Sequence, residues 1–454
     1  MQSRPTAVII LAAGLGTRMK SDLPKVLHRI AGRPMLLHLM DNVEVLQPER
    51  VVVVIGPDMD AVAVAVADHP LAPRTAVQEE RLGTGHAAGC ALPGLQGFAG
   101  DILILYGDTP LITAATMGRL LAARAGKLDP GVVVLGFHAA DPGAYGRLIL
   151  GDADSLDRIV EAADADDDQL MTGLCNSGVL AVDGARFPDW VEKIGNANAK
   201  DEYYLTDLVG ISVAEGRQCQ VVEGEEAELL GVDSRAGLAA AEAVLQSRLR
   251  AAAMAGGATL ADPETVYFSH DTKLGRDVSI GPNVVFGPGV CIADNVDIRA
   301  FCHIEEAEIE DGAIVGPFAR LRPGAKIGRE AHVGNFVEIK NAQLGAGAKA
   351  NHLSYIGDAS VGAAANIGAG TITCNYDGYL KSVTEIGAGA FIGSNTALVA
   401  PVSIGAGAVT GAGSVITRDV AADALAVARG KQTELPGWAA KRRATQGNEK
   451  PDHD

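Results

Sequence analysis

Aromatic side chains are scarce in this chain, at 4% of 454 residues, and only two are tryptophan. Any core must be built from aliphatic side chains, which the 48% hydrophobic content supplies. Positive charge is short as well: 38 Lys and Arg face 56 Asp and Glu, a net charge of -18. So acidic a chain is a poor general ligand for nucleic acid or an anionic bilayer, and an anionic substrate must be held by a few local cations. No uninterrupted apolar run reaches the roughly 18 residues of a membrane-spanning helix, which argues against membrane insertion. The opening MQSRPTAVIILAAG runs a short apolar stretch into a glycine loop, the pattern of a buried first strand rather than an export signal. The six cysteines, at 90, 175, 219, 291, 302 and 374, form no CxxC pair, and no Cys/His set has zinc-ligand spacing. Free thiols in the reducing cytoplasm are the expectation.

Glycine is what the chain has in excess, 55 residues without a collagen period, as in a backbone that turns on a fixed schedule. The length exceeds one ordinary core, so two domains are expected. Residues 1–235 alternate short apolar runs, at 8–11, 51–55, 102–106 and 132–136, with stretches long enough for helices. Continuously apolar strands separated by helices predict an α/β domain with a Rossmann-like, mostly parallel sheet, its ligands beyond the carboxyl ends of the strands. Residues 236–256 are rich in Ala, Leu and Arg and predict one helix, a rigid linker between domains.

From about residue 262 the pattern changes. Branched or long apolar side chains recur every six positions: Leu274, Ile280, Phe286, Ile292, Ile298, Ile304, then after a five-residue step Ile309, Val315, Leu321, Ile327, Val333, Ile339. Later come Ile386, Ile392, Leu398, Ile404, Thr410 and Ile416. Neither helix nor strand periodicity gives six; a solenoid does, with one inward side chain per short strand and three strands per coil. Phase is lost between Ile372 and Ile386, where TCNYDGYLKSVTE is read as a loop projecting from a coil. The last stretch, KRRATQGNEKPDHD, is charged and unpatterned and reads as a flexible tail of the 257–454 domain.

The chemistry of the first half concentrates in LAAGLGTRMKSDLPKVL, residues 11–27. Gly14 and Gly16 permit a tight turn whose amides can face phosphate, with Arg18 and Lys25 adding charge. This segment resembles the signature of sugar-1-phosphate nucleotidyltransferases. Joined to the six-residue repeat, it resembles the bifunctional GlmU family, which unites an N-acetylglucosamine-1-phosphate uridyltransferase with a glucosamine-1-phosphate N-acetyltransferase. The likeness covers roughly residues 5–438 and implies a left-handed parallel β-helix for the second half. It further implies that Leu11, Ala12, Ala13 and Gly14 line the nucleotide site. Arg18 and Lys25 would hold the UTP phosphates, and Gln78, Gly83 and Thr84 would read the base. Tyr106, Gly107 and Asp108 match the strand-end motif, with Asp108 a magnesium ligand; Gly146, Glu161 and Asn176 would hold the sugar. The chain departs from the family at Asp233 in GVDSR, where the best-known members place asparagine as second metal ligand. Aspartate still offers oxygen to Mg2+, though it is also a favoured helix cap.

In the second half the resemblance implies that Arg322, Lys340, Tyr355 and Asn366 bind glucosamine 1-phosphate, and that His352 is the general base of acetyl transfer from acetyl-CoA. Glu338 is a candidate to orient its imidazole, unless solvated, and His332 a candidate to line the same groove. Acetyl-CoA would lie between neighbouring subunits of a homotrimer, against Ala369, Asn375, Tyr376, Ser394, Ala412 and Arg429. Two other readings compete: a single-activity nucleotidyltransferase whose solenoid serves oligomerisation, and a nonenzymatic binder of nucleotide sugars. The polar cluster around His352 speaks against the first, and the presence of Arg18, Lys25 and Asp108 against the second.

Overall fold

The structure, a computed structural model, describes residues 4–152 and 155–446. The chain divides into two compact units, Met1–Ala251 and Ala252–Asp454.

In the first unit, nine strands form one sheet: β1 (Thr6–Leu11), β2 (Arg50–Ile55), β3 (Arg74–Val77), β4 (Asp101–Tyr106), β5 (Val132–His138), β6 (Arg147–Leu150), β7 (Leu156–Val160), β8 (Leu174–Asp183) and β9 (Cys219–Glu223). The main path is β9-β5-β8-β4-β1-β2-β3, with β6 paired to β8 and β7. β1 is parallel to β2 and β4, β2 to β3, and β9 to β5, while β8 enters antiparallel between β4 and β5. The continuous apolar runs have the expected cause, because both faces of the sheet are covered. Val8 and Ile10 pack on one side with Val51, Val53, Leu103 and Leu105. Ile9 and Leu11 pack on the other with Val52, Val54, Ile102 and Ile104. Alternate residues along each strand thus enter different cores. Leu11 lies opposite both Val54 and Tyr106, so the carboxyl ends of β1, β2 and β4 finish level and their loops leave together.

The helix expected near 236–256 runs Arg235–Ala255. Ala241 is buried in a small cluster with Ile30, Met35, Leu111 and Val232, and Val244 and Leu245 pack against it. Glu242 accepts the Ala31 amide at 2.7 Å, and Arg248 donates to the Leu111 carbonyl at 2.7 Å. These contacts tie the helix to the first unit over much of its length.

The second unit is a three-faced parallel β-helix. One ladder runs Ser279, Asp297, Ile314, His332, Lys349, Asn366, Phe391, Val409, one rung per coil. Cross-coil side-chain contacts join residues 17 or 18 apart, so a coil is three six-residue steps with an occasional short one. All the six-step residues are buried except Leu274, which is half-buried. The longer step from Asn366 to Phe391 contains the projecting loop. Tyr376 and Lys381 form an antiparallel bridge in it, and Asp377 accepts the amides of Tyr379 and Leu380 at 2.8 and 2.7 Å. Near the end of the chain, Trp438–Gln446 forms a helix, so residues 441–446 of the stretch expected to be an unpatterned tail are helical; the rest of that stretch lies outside the described residues.

Candidate active sites

The first site grows from the ends of β1 and β4. Ala12 donates to the Val54 carbonyl at 2.7 Å and Gly107 to the Leu11 carbonyl at 2.9 Å, which fixes where the loops begin. At Gly16, φ is +62°, and a side chain there would stand 2.6 Å from Lys25 Cβ. The loop therefore lets the short turn Lys25–Leu27 lie directly against it. A cleft of about 300 Å³ opens here, lined by Leu11, Ala12, Ala13, Gly14 and Lys25. Gln78, Gly83, Thr84, Tyr106 and Asp108 complete the wall. Ten of the residues singled out in the sequence thus share one cavity. Gln78 is buried, and its side-chain amide donates to the Gly83 carbonyl at 3.0 Å, joining it to the Gly83–Thr84 segment.

Arg81 also lines the cleft and was missed in the sequence. Its Nε donates to the Ala13 carbonyl at 2.8 Å, bracing the glycine loop. Nothing in its local pattern marks it, because the partner is 68 residues away.

Arg18, Lys25, Asp108 and Asp233 form a charge cluster. The Lys25 ammonium touches Asp108 and lies 3.0 Å from Asp233, whose other oxygen is 3.0 Å from Arg18. Burial pulls the Lys25 pKa down, but the two carboxylates outweigh it and hold the ammonium above its usual value. Capping of the following helix falls to Ser234, which accepts the Gly237 amide at 3.1 Å, so the Asp233 carboxylate is free for charge pairing. Two carboxylates converging on one cation are a donor set suited to a hard divalent ion.

Gly146, Glu161 and Asn176 meet one another on the β6–β8 side. Asn176 donates its amide to the Gly146 carbonyl at 2.8 Å, and Glu161 oxygens lie 3.5 Å from where a Gly146 Cβ would stand. Burial pushes the Glu161 carboxyl above its usual pKa, against the opposing pull of Lys200 and Thr206. Burial likewise pushes up the Tyr106 phenol, which shares a hydrogen bond with Thr84 and feels Glu161. Gly178 makes this packing possible: its φ is +86°, and an added Cβ would stand 2.6 Å from the Tyr106 ring. A Gly178→Ala variant is expected to lose about 1–3 kcal/mol of stability, read as an earlier unfolding transition of the first unit in denaturant.

Another group with metal-ligand character, Asp41, Glu44 and His69, lies elsewhere in the first unit. Arg33 already pairs with Asp41 at 2.7 Å, and His69 Nδ1 accepts the Leu71 amide at 3.3 Å, so two of the group's three residues are engaged.

In the second unit, successive coils stack several of the named residues. Asn335 and His352 are rungs of one ladder. Ala369 lies a coil beyond His352, where the next residue, Gly370, donates to the His352 carbonyl at 3.3 Å. Asn395 then donates to Ala369 at 2.7 Å and Gly413 to Ser394 at 2.8 Å, while the Arg429 guanidinium reaches the Ala412 carbonyl at 2.7 Å. His352, Ala369, Ser394, Ala412 and Arg429 therefore form a column, small residues between a histidine and a cation.

A second feature of this unit is a cluster of cations. Lys340 and Lys381 lie against each other, and Lys381, then burial and Arg322, hold the Lys340 pKa below its usual value. Arg322 Nε is buried with no hydrogen-bond partner among the described residues. Cations held this close together, with Lys340 and Lys381 in contact, favour a nearby anion. Lys381 was missed in the sequence because it sits in the projecting loop, where the repeat gives no register. Asp358 balances part of the charge: burial raises its pKa, but Asn341 and Asn375 donate to it and, with Lys381 and Lys340, bring it below the usual range. Asn375 is thereby engaged within the coil, while Tyr376 is exposed on the loop, its hydroxyl donating to the Gly378 carbonyl at 2.6 Å. Tyr355 begins the strand following His352, and Asn366 the strand on the coil above Lys349.

One expectation needs correction. Glu338 does not orient His352: its carboxylate accepts from Arg322 at 2.9 Å and faces Arg320 at 3.9 Å. The partner of His352 Nδ1 is Asn335, at 2.7 Å. His332, half-buried on the same strand as Asn335, is held below its usual pKa by burial, then by Arg299 and Lys349.

Comparison with known proteins agrees with the α/β and β-helix folds. Residues 8–172 match the MobA-like NTP transferase domain. Residues 271–306, 306–341 and 384–418 match the bacterial transferase hexapeptide repeat. The chain is 61% identical over 454 residues to the bifunctional protein GlmU of Paramagnetospirillum magneticum, covering 100% of both. It is 63% identical over 439 residues to that of Rhodospirillum rubrum, covering 97% of each. The GlmU protein of Paracoccus denitrificans is 55% identical over 441 residues, covering 97% of this chain and 98% of the relative.

Proposed function

The chain belongs to the bifunctional GlmU family, and from that premise we propose how its residues divide the synthesis of UDP-N-acetylglucosamine. It is a transferase with two activities, an N-terminal nucleotidyltransferase and a C-terminal acetyltransferase of left-handed parallel β-helix form. The acetyltransferase, taken as residues 257–454, moves acetyl from acetyl-CoA to glucosamine 1-phosphate. The uridyltransferase, taken as residues 1–235 with 236–256 as the joining helix, moves UMP from UTP to N-acetylglucosamine 1-phosphate and releases pyrophosphate.

In uridylyl transfer, the sugar phosphate oxygen attacks the α-phosphorus of UTP. Two polyanions must meet, so binding and charge neutralisation carry the catalysis. Arg18 and Lys25 hold the phosphates, and the glycine loop after β1 receives the nucleotide. Gln78, Gly83 and Thr84 frame the base, while Gly146, Glu161 and Asn176 hold the sugar. Asp108 and Asp233 would hold Mg2+, whose chemistry is to orient phosphoryl oxygens and stabilise their charge.

In acetyl transfer, the sugar amine attacks the thioester carbonyl, the amine proton passes to His352, and CoA leaves as the thiolate. Arg322, Lys340, Lys381, Tyr355 and Asn366 surround the sugar phosphate. Ala369, Ser394 and Ala412 let the cofactor lie close to the backbone, and Arg429 meets its phosphate. Asn375 and Tyr376 flank it from the loop base. A homotrimer, with acetyl-CoA between neighbouring subunits, and a cytoplasmic location complete the reading. Among the described residues no helix is long and apolar enough to cross a membrane, and all six cysteines are free.

The observation that carries the two-site reading is the coexistence of the Lys25–Asp108–Asp233 cluster with the His352 column in one chain. Supplying purified protein with glucosamine 1-phosphate, acetyl-CoA, UTP and Mg2+ is expected to yield UDP-N-acetylglucosamine and pyrophosphate by mass. Omitting acetyl-CoA should stop the product unless N-acetylglucosamine 1-phosphate is added. Product formed at the full rate from glucosamine 1-phosphate without acetyl-CoA would overturn the order of reactions.

A further inference from the structure

We propose that Asn335 is a positioning residue for acetyl transfer, fixing the proton of His352 on Nδ1 so that Nε2 carries the lone pair; this rests on the reading of His352 as the base.

Asn335 ends the strand His332–Asn335, and His352 ends Lys349–His352 on the next coil. They are paired in the ladder, so their Cα positions are set by backbone register. Leu353 donates to the Asn335 carbonyl at 3.0 Å, and the His352 carbonyl accepts from Ser354 Oγ at 2.9 Å and Gly370 at 3.3 Å. The backbone on both sides of the imidazole is therefore held, and the side-chain contact settles its protonation. Asn335 Oδ1 lies 2.7 Å from His352 Nδ1. An amide oxygen only accepts, so the shared proton belongs to Nδ1. A neutral imidazole has one N–H, which leaves Nε2 unprotonated, the form a general base requires.

The choice of amide over carboxylate has a consequence. A carboxylate beside Nδ1–H would stabilise the imidazolium and thin the basic form near neutral pH. An amide selects the same tautomer without a full charge. Glu338, the nearby acid that might have done so, is committed to Arg322 at 2.9 Å. The other titratable groups facing this corner are His332, on the strand of Asn335, and Lys349, on the strand of His352; residues 366–370 on the coil above, Asn-Ile-Gly-Ala-Gly, contain none.

The test compares full-length Asn335→Ala, Asn335→Asp and His352→Ala with the parent, following acetyl transfer against pH with both substrates varied. Asn335→Ala is expected to lower kcat by about 10- to 100-fold, part of the roughly 10²–10⁴ attributed to a general base, with KM for both substrates nearly unchanged. Asn335→Asp should recover most of that rate at its own optimum, with the acid limb of kcat moved to higher pH. Parental kcat in Asn335→Ala, a loss confined to KM, or Asn335→Asp with neither recovery nor a moved limb would overturn the role of Asn335. Parental acetylation by His352→Ala would instead remove the base assignment itself.

Discussion

A His352→Ala variant is expected to lose acetyl transfer by about 10²- to 10⁴-fold, the range for removing a positioned general base, while uridylyl transfer from N-acetylglucosamine 1-phosphate continues at the parental rate. The amine of glucosamine 1-phosphate must be unprotonated to attack and must shed a proton as the tetrahedral adduct collapses. His352 is the side chain at the head of the column that would receive acetyl-CoA, and its Nδ1 is already satisfied by Asn335. Its removal leaves intact Arg322, Lys340 and Lys381, the cations proposed to hold the sugar phosphate, so the KM for that substrate should barely move. The uridyltransferase residues all lie in the first unit, which explains why the second reaction is spared. Separate assays of the two half-reactions check this directly. A variant acetylating at the parental rate would mean that solvent or another group takes the proton.

The elements most legible in the sequence are those in which one residue type is forced by backbone geometry. Six-step apolar recurrence identifies the β-helix because each short strand has room for one inward side chain; Ile298, Val315, Val333 and Ile392 are all fully buried. The strands β1, β2 and β4 are legible because a sheet covered on both faces leaves little room for polar side chains past their first residues, and the glycine loop because Gly16 takes a left-handed turn that packs against Lys25. Partner choices are not legible in the same way. Asn335 and His352 are 17 residues apart, not a multiple of six, so the pairing depends on where a coil is short by one residue. Glu338 is as able as Asn335 to orient the imidazole by sequence, and only its ion pair with Arg322 excludes it. Lys381 and Arg81 escaped notice because loops carry no period, and their importance lies in what they touch. Asp233 is the intermediate case: its motif is readable, but the freedom of the Asp233 carboxylate to join the charge cluster depends on Ser234 capping the helix.

That cluster sets the second large effect: Asp108→Ala should lower uridylyl transfer by at least about 10²-fold, with acetyl transfer unchanged. Asp108 has two tasks, and alanine removes both. It is a proposed oxygen ligand for Mg2+, and loss of one group stabilising transition-state charge in a preorganised site costs about 10²–10³ in rate. It also holds Lys25, whose side chain is only 11% exposed. Burial by itself lowers the pKa of Lys25; without Asp108 the opposing attraction falls to Asp233 alone, and the cation proposed to hold phosphate is weakened as well. Asp233→Asn separates the two tasks. Its amide oxygen can still ligate a metal, but the charge facing Lys25 and Arg18 is gone, so the variant should keep most of its maximal rate while needing more Mg2+ to reach it. Direct binding of Mn2+, followed by electron paramagnetic resonance in both variants without substrate, distinguishes a lost ligand from a disturbed lysine. Binding that is abolished in Asp108→Ala and only weakened in Asp233→Asn fits this division. Parental Mn2+ affinity in Asp108→Ala would place the metal elsewhere and leave Asp108 solely as the anchor of Lys25.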